Sequence, residues 1–229
     1  MERPIMPTKS TIVPDPKPKV HARRIVNALA KLYPESTCAL LFQNPYELLV
    51  ATILSAQCTD VRVNMVTPAL FASYPDPTSL ARSRQEDVEA LIRSTGFFRA
   101  KSKNIRAMAA QVVADHDGEI PADLDALTNL PGVGRKTANV VLGNAFDTAS
   151  GVVVDTHVKR LSYRLGLTGN TDPVKIERDL IELVPVKHWV DLSHRLIEHG
   201  RKVCIARKPH CSVCTLFKLC AKRGITVSS

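Results

Sequence analysis

The sequence predicts an all-α fold of about ten short helices joined by tight turns. Three features lead there. Apolar residues recur at helical spacing, helix starts are marked by a capping side chain followed by proline, and β-branched runs are nearly absent.

Taken in chain order, residues 1–19 carry Pro4, Pro7, Pro14, Pro16 and Pro18 with Lys9, Lys17 and Lys19. Such a segment does not bury enough apolar surface to fold, so it reads as a disordered basic arm. Asn44-Pro45, followed by Glu47 and an apolar run, marks a helix start, and Thr67-Pro68 and Asp172-Pro173 repeat the pattern. Ile105, Met108, Ala109 and Val112 form one apolar stripe. Val158, Leu161 and Leu165 form a second, and Ile176, Leu180, Leu183 and Val184 a third. All three read as core faces. Val152 to Val154 is β-branched but too short to seed a sheet, and no internal repeat stands out. Cys38 and Cys58 read as small buried thiols, and His194 and His199 as packing or surface residues.

The chain has 229 residues, 45% of them hydrophobic, which is enough for a sizeable core. Its 31 Lys and Arg outnumber its 22 Asp and Glu, for a net charge of +9. That balance favours a polyanionic partner, with nucleic acid ahead of an anionic membrane surface, and ordinary basic solubility as the plain alternative. No stretch is long and apolar enough to span a bilayer, and the N-terminus lacks the apolar run of a secretory signal, so a cytoplasmic, nucleoid-associated protein is expected.

Leu130-Pro131-Gly132-Val133-Gly134-Arg135-Lys136-Thr137-Ala138 lies between two helical patterns. Proline ends the first, which carries Leu124, Leu127 and Leu130. Two glycines then permit a tight reversal. With no side chain at Gly132 or Gly134, a phosphate can approach the peptide N–H groups of the turn and the positive end of the next helix. A lone Gly-x-Gly is commonly just a turn, and Lys136 taken by itself reads as a phosphate-binding lysine.

Four of the six cysteines fall at Cys204-x6-Cys211-x2-Cys214-x5-Cys220. Clustered thiols of this kind suggest a metal site rather than a disulfide scaffold. The central Cys-x2-Cys suits zinc as well as iron, although zinc sites usually pair two short knuckles. Arg207 and Lys208 lie between the first two cysteines, on a loop that a metal would rigidify, and are candidate phosphate contacts.

The nine-residue hairpin, Leu54-Ser55-Ala56-Gln57 with Thr59-Asp60, Val154-Asp155-Thr156-His157 and the cysteine tail together resemble the endonuclease III family in order and spacing, over residues 21 to 222. The resemblance implies two helical domains, a six-helix barrel domain with a helix–hairpin–helix at 38–148 and an iron–sulfur domain joining 20–37 with 149–229. DNA would lie in the cleft between them, and the chain is expected to act as a monomer. It implies a [4Fe-4S] cluster on Cys204, Cys211, Cys214 and Cys220, matching the family's loop in length.

It also implies a bifunctional DNA glycosylase and abasic-site lyase. Lys136 would attack C1′ of a flipped nucleotide with Asp155 as its partner, and β-elimination would follow. Attack needs a neutral amine, and an ordinary lysine is neutral in about one molecule in 2,500 at pH 7. Neighbouring Arg135, the helix terminus and closure on DNA would all favour loss of the proton. Asp155 also sits where a helix N-cap belongs, and the two roles are compatible. Gln57 and an apolar wedge, matched to Phe97, would fill the gap in the duplex; the alternative is that Phe97 or Phe98 anchors its loop in the core. Gly132, Val133, Gly134 and Arg135 would hold the DNA backbone. A glycosylase that only removes bases is the nearest rival, but it lacks a lysine at position 136, and a non-enzymatic cluster-bearing DNA binder needs neither Lys136 nor Asp155.

Overall fold

The computed structural model describes residues 18–229, so the expected arm lies outside the described residues up to position 17. Residues 18 and 19, expected to belong to that arm, instead open helix α1 (Pro18–Leu32). Ten further α-helices follow among the described residues, with three short 3-10 turns and no strand. The all-α expectation therefore holds, and Val152 to Val154 runs without regular structure.

Two hydrophobic cores divide the chain. The first gathers α2 (Pro45–Leu54), α3 (Asp60–Ser73), α4 (Pro77–Ala81), α5 (Gln85–Ile92), α6 (Phe98–Asp115), α7 (Leu124–Thr128) and α8 (Arg135–Ala145). Its centre is α2, where Leu48 to Leu54 are all buried. The stripe Ile105, Met108, Ala109 and Val112 of α6 is fully buried against it. The second core joins α1 with α9 (Thr156–Leu165), α10 (Pro173–Leu183), α11 (Trp189–Lys202) and Leu216 of the tail. Val158, Leu161, Ile176 and Leu180 enter it, as their spacing predicts. The chain thus crosses from the second core to the first after α1 and returns before α9.

Local chemistry sets most helix starts. Asn44 caps α2 by accepting from the Glu47 N–H at 2.9 Å, and the Glu47 carboxylate accepts from the Gln43 N–H at 2.8 Å. Asp172 caps α10 in the same way, ahead of Pro173. Thr67-Pro68 does not start a helix. Thr59 caps α3, and Pro68 lies inside it. Burial of Val63, Thr67 and Leu70 carries the helix through the one backbone bond the proline removes. Leu130, placed with the helix before the hairpin, lies beyond the end of α7 but is still buried. Cys38 and Cys58 are only partly buried, packed on the rim of the first core.

Candidate functional site

A cavity of about 340 Å³ opens between the two cores. Its wall includes Lys136 and Asn139 of α8, Asp155 at the mouth of α9, and Ser193 and His194 of α11. Lys136 is exposed, in the first turn of α8 directly after the hairpin. Asp155 caps α9, its Oδ1 accepting from the Val158 N–H at 2.7 Å. That cap fixes the carboxylate at a helix terminus facing the amine's cavity. His194 Nε2 donates to Asn144 Oδ1 at 2.8 Å, and burial pulls its pKa below the usual histidine range.

The hairpin itself is built unevenly. Gly132 sits at φ +77°, and a Cβ there would meet Asn104 Cβ at 3.0 Å, so the fold requires glycine. Gly134 sits at φ −93°, where any residue is comfortable, and a Cβ there would meet nothing within 4 Å. Of the two glycines, only Gly132 is required by the turn; the space over Gly134 is open. Val133 enters the core, and its N–H donates to the Leu130 carbonyl at 3.1 Å. What Val133 offers is the hairpin's anchorage. The first N–H groups of α8 have no helical acceptors, which leaves a positive, donor-rich end beside Gly134.

Arg135 does not simply flank Lys136. Its guanidinium donates to both carboxylate oxygens of Glu177 in α10, at 3.0 and 3.2 Å. Asn139 donates to the same carboxylate at 3.0 Å and accepts from Ser150 at 2.8 Å. Glu177 is 6% exposed. A Cβ on Gly151 would come within 2.1 Å of it. The start of α8, on the first core, is thereby clamped to a helix of the second. Arg201 of α11 pairs with Asp60 of α3 at 2.5 Å across the same divide. These links hold Lys136 and Asp155, which belong to different cores, against one cavity. Sequence reading missed Glu177. The signal was there: Glu177, Leu180, Ile181 and Val184 follow helical spacing, so an acid occupies a core-facing position.

Gln57 and Phe97 lie outside that cavity wall. Both have left-handed backbones, φ 52° and 46°, and both side chains are exposed, Phe97 by 67%. Phe98, not Phe97, packs half-buried against the first core. Phe97 therefore carries an exposed ring on a left-handed backbone.

Cys204, Cys211, Cys214 and Cys220 line a second, small and mostly apolar cavity. They surround it rather than converge: among the described residues no three His, Cys, Asp or Glu side chains meet at a single-ion site. Arg164 of α9 donates to the Ile205 and Ala206 carbonyls at 2.7 Å each, and to Cys204 Sγ at 3.4 Å. Arg160 donates to the carbonyls of Cys204 and Gly200. Buried His199, its pKa pulled down to about 4 by burial, lies 3.6 Å from Cys214 Sγ and 2.8 Å from the Tyr33 hydroxyl. Burial pushes the Cys214 and Cys220 thiols up. Arg207 and Lys208 are exposed on the loop those arginines hold.

A family model, the HhH-GPD superfamily of base excision DNA repair proteins, matches residues 50–186. The chain is 57% identical to endonuclease III of Synechocystis sp. over 202 residues, covering 88% of this chain and 92% of that one. The chain belongs to the endonuclease III family. Endonuclease III of Escherichia coli strain K12 is 40% identical over 202 residues, covering 88% of this chain and 95% of that one. A solved structure of a trapped endonuclease III–DNA covalent intermediate superposes with a TM-score of 0.85 at 42% identity, covering 89% of this chain and 96% of that one. As an endonuclease III family member the chain is a bifunctional DNA glycosylase and abasic-site lyase of base excision repair. It has the two helical domains, with a DNA cleft between them, of that family. No helix among the described residues is long and apolar enough to cross a membrane.

Proposed function

We propose that the chain removes oxidised pyrimidines from duplex DNA by attack of Lys136 on C1′ of a flipped nucleotide, with Asp155 as its partner. One observation carries this reading: the only lysine of the hairpin and the carboxylate capping α9 share one cavity while rising from different cores. The Lys136 Nζ lone pair forms the bond to C1′, and the base leaves with the glycosidic electron pair and a proton. Asp155 receives the amine's proton or stabilises positive charge growing on the sugar. Ring opening gives a Schiff base, which acidifies the C2′ proton. Loss of that proton expels the 3′ phosphate, and water then releases Lys136. Substrate is double-stranded DNA carrying a damaged base or an abasic site, in the cytoplasm on the nucleoid, with the protein acting as a monomer.

Gln57 and Phe97 fill the gap left by the flipped nucleotide. Gly132, Gly134 and the first turn of α8 hold a backbone phosphate, with Val133 and Arg135 anchoring that turn on both sides. Domain limits of 38–148 for the helix–hairpin–helix unit, and 20–37 with 149–229 for the other, are part of this reading, and the division of the chain between two cores supports them. Cys204, Cys211, Cys214 and Cys220 would hold a [4Fe-4S] cluster. Four thiols spread around an apolar cavity suit metal atoms at several corners better than one tetrahedral ion. Bonded there, the cluster would keep the thiols deprotonated and stiffen the loop that presents Arg207 and Lys208 to phosphate.

The test is borohydride trapping on abasic DNA. Wild type should form a covalent adduct, and Lys136→Gln should lose it while still binding the duplex. Normal nicking by Lys136→Gln removes the assignment.

A further inference from the structure

Lys101 lies in the first turn of α6, is 5% exposed, and takes no part in the proposed reaction. Its ammonium donates to two carbonyls at 2.8 Å, those of Leu54 and Thr95. Leu54 is the last residue of α2, and Ser55-Ala56-Gln57 follows it. Thr95 ends the 3-10 turn at Arg93–Thr95, and Gly96-Phe97 follows. One buried nitrogen therefore grips both segments just before their left-handed residues, Gln57 and Phe97.

The chemistry makes the grip strong. The Leu54 carbonyl belongs to the last turn of α2, where helical geometry supplies no donor and the helix dipole is negative. A buried ammonium keeps its charge only if fixed acceptors replace the water it has lost, and burial does lower its pKa. Thr95 is itself held, its Oγ1 donating to the Ile92 carbonyl at 2.8 Å. On the other side, Phe98 packs half-buried against the first core with the Arg93 and Arg99 guanidiniums 5.7 and 5.6 Å from its ring. The two exposed side chains stand on a shared rigid base.

We infer that Lys101 is a positioning residue that couples the Gln57 turn to the Phe97 loop, so that both side chains enter the duplex as one preorganised unit. The inference rests on the gap-filling reading of Gln57 and Phe97 above. Two independent loops would each lose freedom on insertion; a common anchor removes that loss beforehand.

The experiment uses the full chain and a duplex with 2-aminopurine beside an abasic-site analogue, whose fluorescence reports unstacking. Lys101→Met, Gln57→Ala and Phe97→Ala are measured singly and together, with thermal melts and borohydride trapping alongside. Lys101→Met should lower the unstacked population roughly tenfold, the scale of one lost charged hydrogen bond. In the Gln57→Ala/Phe97→Ala background the same change should lower it no further. An equal loss in that background makes Lys101 merely structural and overturns the coupling. If Gln57→Ala and Phe97→Ala lower unstacking but Lys101→Met does not, the coupling fails and gap filling stands. If neither alanine variant matters while Lys136→Gln still abolishes trapping, gap filling itself fails and takes the coupling with it. Lys101→Gln, whose amide still donates, is the second variant should Lys101→Met melt early; it should fall between wild type and Met, and a loss independent of Gln57 and Phe97 again overturns the proposal.

Discussion

Replacing Gly134 with alanine separates what the fold needs from what DNA needs. The backbone there, φ −93° and ψ 171°, accepts any residue, and the new methyl would touch nothing. Losing glycine's freedom in the unfolded chain stabilises by about 0.4–1 kcal/mol. Alanine is a poorer N-cap than glycine by about 0.5–1 kcal/mol. The two terms nearly cancel, so the melting temperature should stay within about 3 °C of wild type. If a phosphate approaches the N–H groups beside Gly134, the methyl stands in its path. Loss of one N–H bond to a charged oxygen is about 1.5–3 kcal/mol, or roughly 10- to 150-fold in Kd. The assay is fluorescence anisotropy on an abasic-analogue duplex at fixed salt, paired with a circular-dichroism melt. Gly132→Ala is the control. Its left-handed backbone costs about 1–2 kcal/mol, and its approach to Asn104 Cβ at 3.0 Å adds about 1–3 kcal/mol. That variant should melt roughly 5–15 °C lower. An unchanged Kd for Gly134→Ala refutes the phosphate seat, and a melt as low as that of Gly132→Ala refutes the geometric argument.

Gly151→Ala should drive a methyl against Glu177 Oε1 at 2.1 Å and Asn139 Nδ2 at 2.6 Å. A destabilisation of about 1–3 kcal/mol in urea, with slower trapping through Lys136, is expected, and an unchanged midpoint would show that the clamp on α8 is loose. Arg207→Ala with Lys208→Ala should flatten the salt dependence of DNA binding by about 1.8 in log–log slope if both touch phosphate; an unaltered slope removes the loop from the interface. His194 is held neutral by burial, so the unfolded chain takes up its proton first. Acid therefore favours unfolding: the contribution is complete above the unfolded pKa of about 6.5 and declines as pH falls toward the lowered folded value. Urea midpoints at pH 7.5 and 5.5 should differ less in His194→Asn than in wild type, because His157 and His199, also lowered, still respond. Identical differences in the two proteins would place His194 outside the linkage.

The sequence alone determined whatever depends on neighbours along the chain. Helical spacing placed the stripes of α6, α9 and α10, and capping chemistry placed Asn44, Asp155 and Asp172, because those forces act within one turn of helix. It failed at Pro68, where tertiary burial of Val63 and Leu70 outweighs a proline's local penalty. The clustering of the four cysteines suggested a metal site, whereas Lys136 and Asp155 were singled out as a pair only through the family resemblance.

Only the tertiary structure decided which distant groups meet. Arg135 looked like a free cation beside Lys136 and is bound by Glu177 from another helix. Gly132 and Gly134 looked alike and divide into one residue demanded by the turn and one left open. Phe97 was favoured over Phe98 only by position matching, and the structure shows Phe97 exposed and Phe98 half-buried against the first core. Lys101 and Glu177 stand at core-facing positions of apolar stripes, and a one-dimensional pattern does not say what answers a buried charge. A buried charge must be met by a specific acceptor or donor, and the chain's path through space alone supplies it.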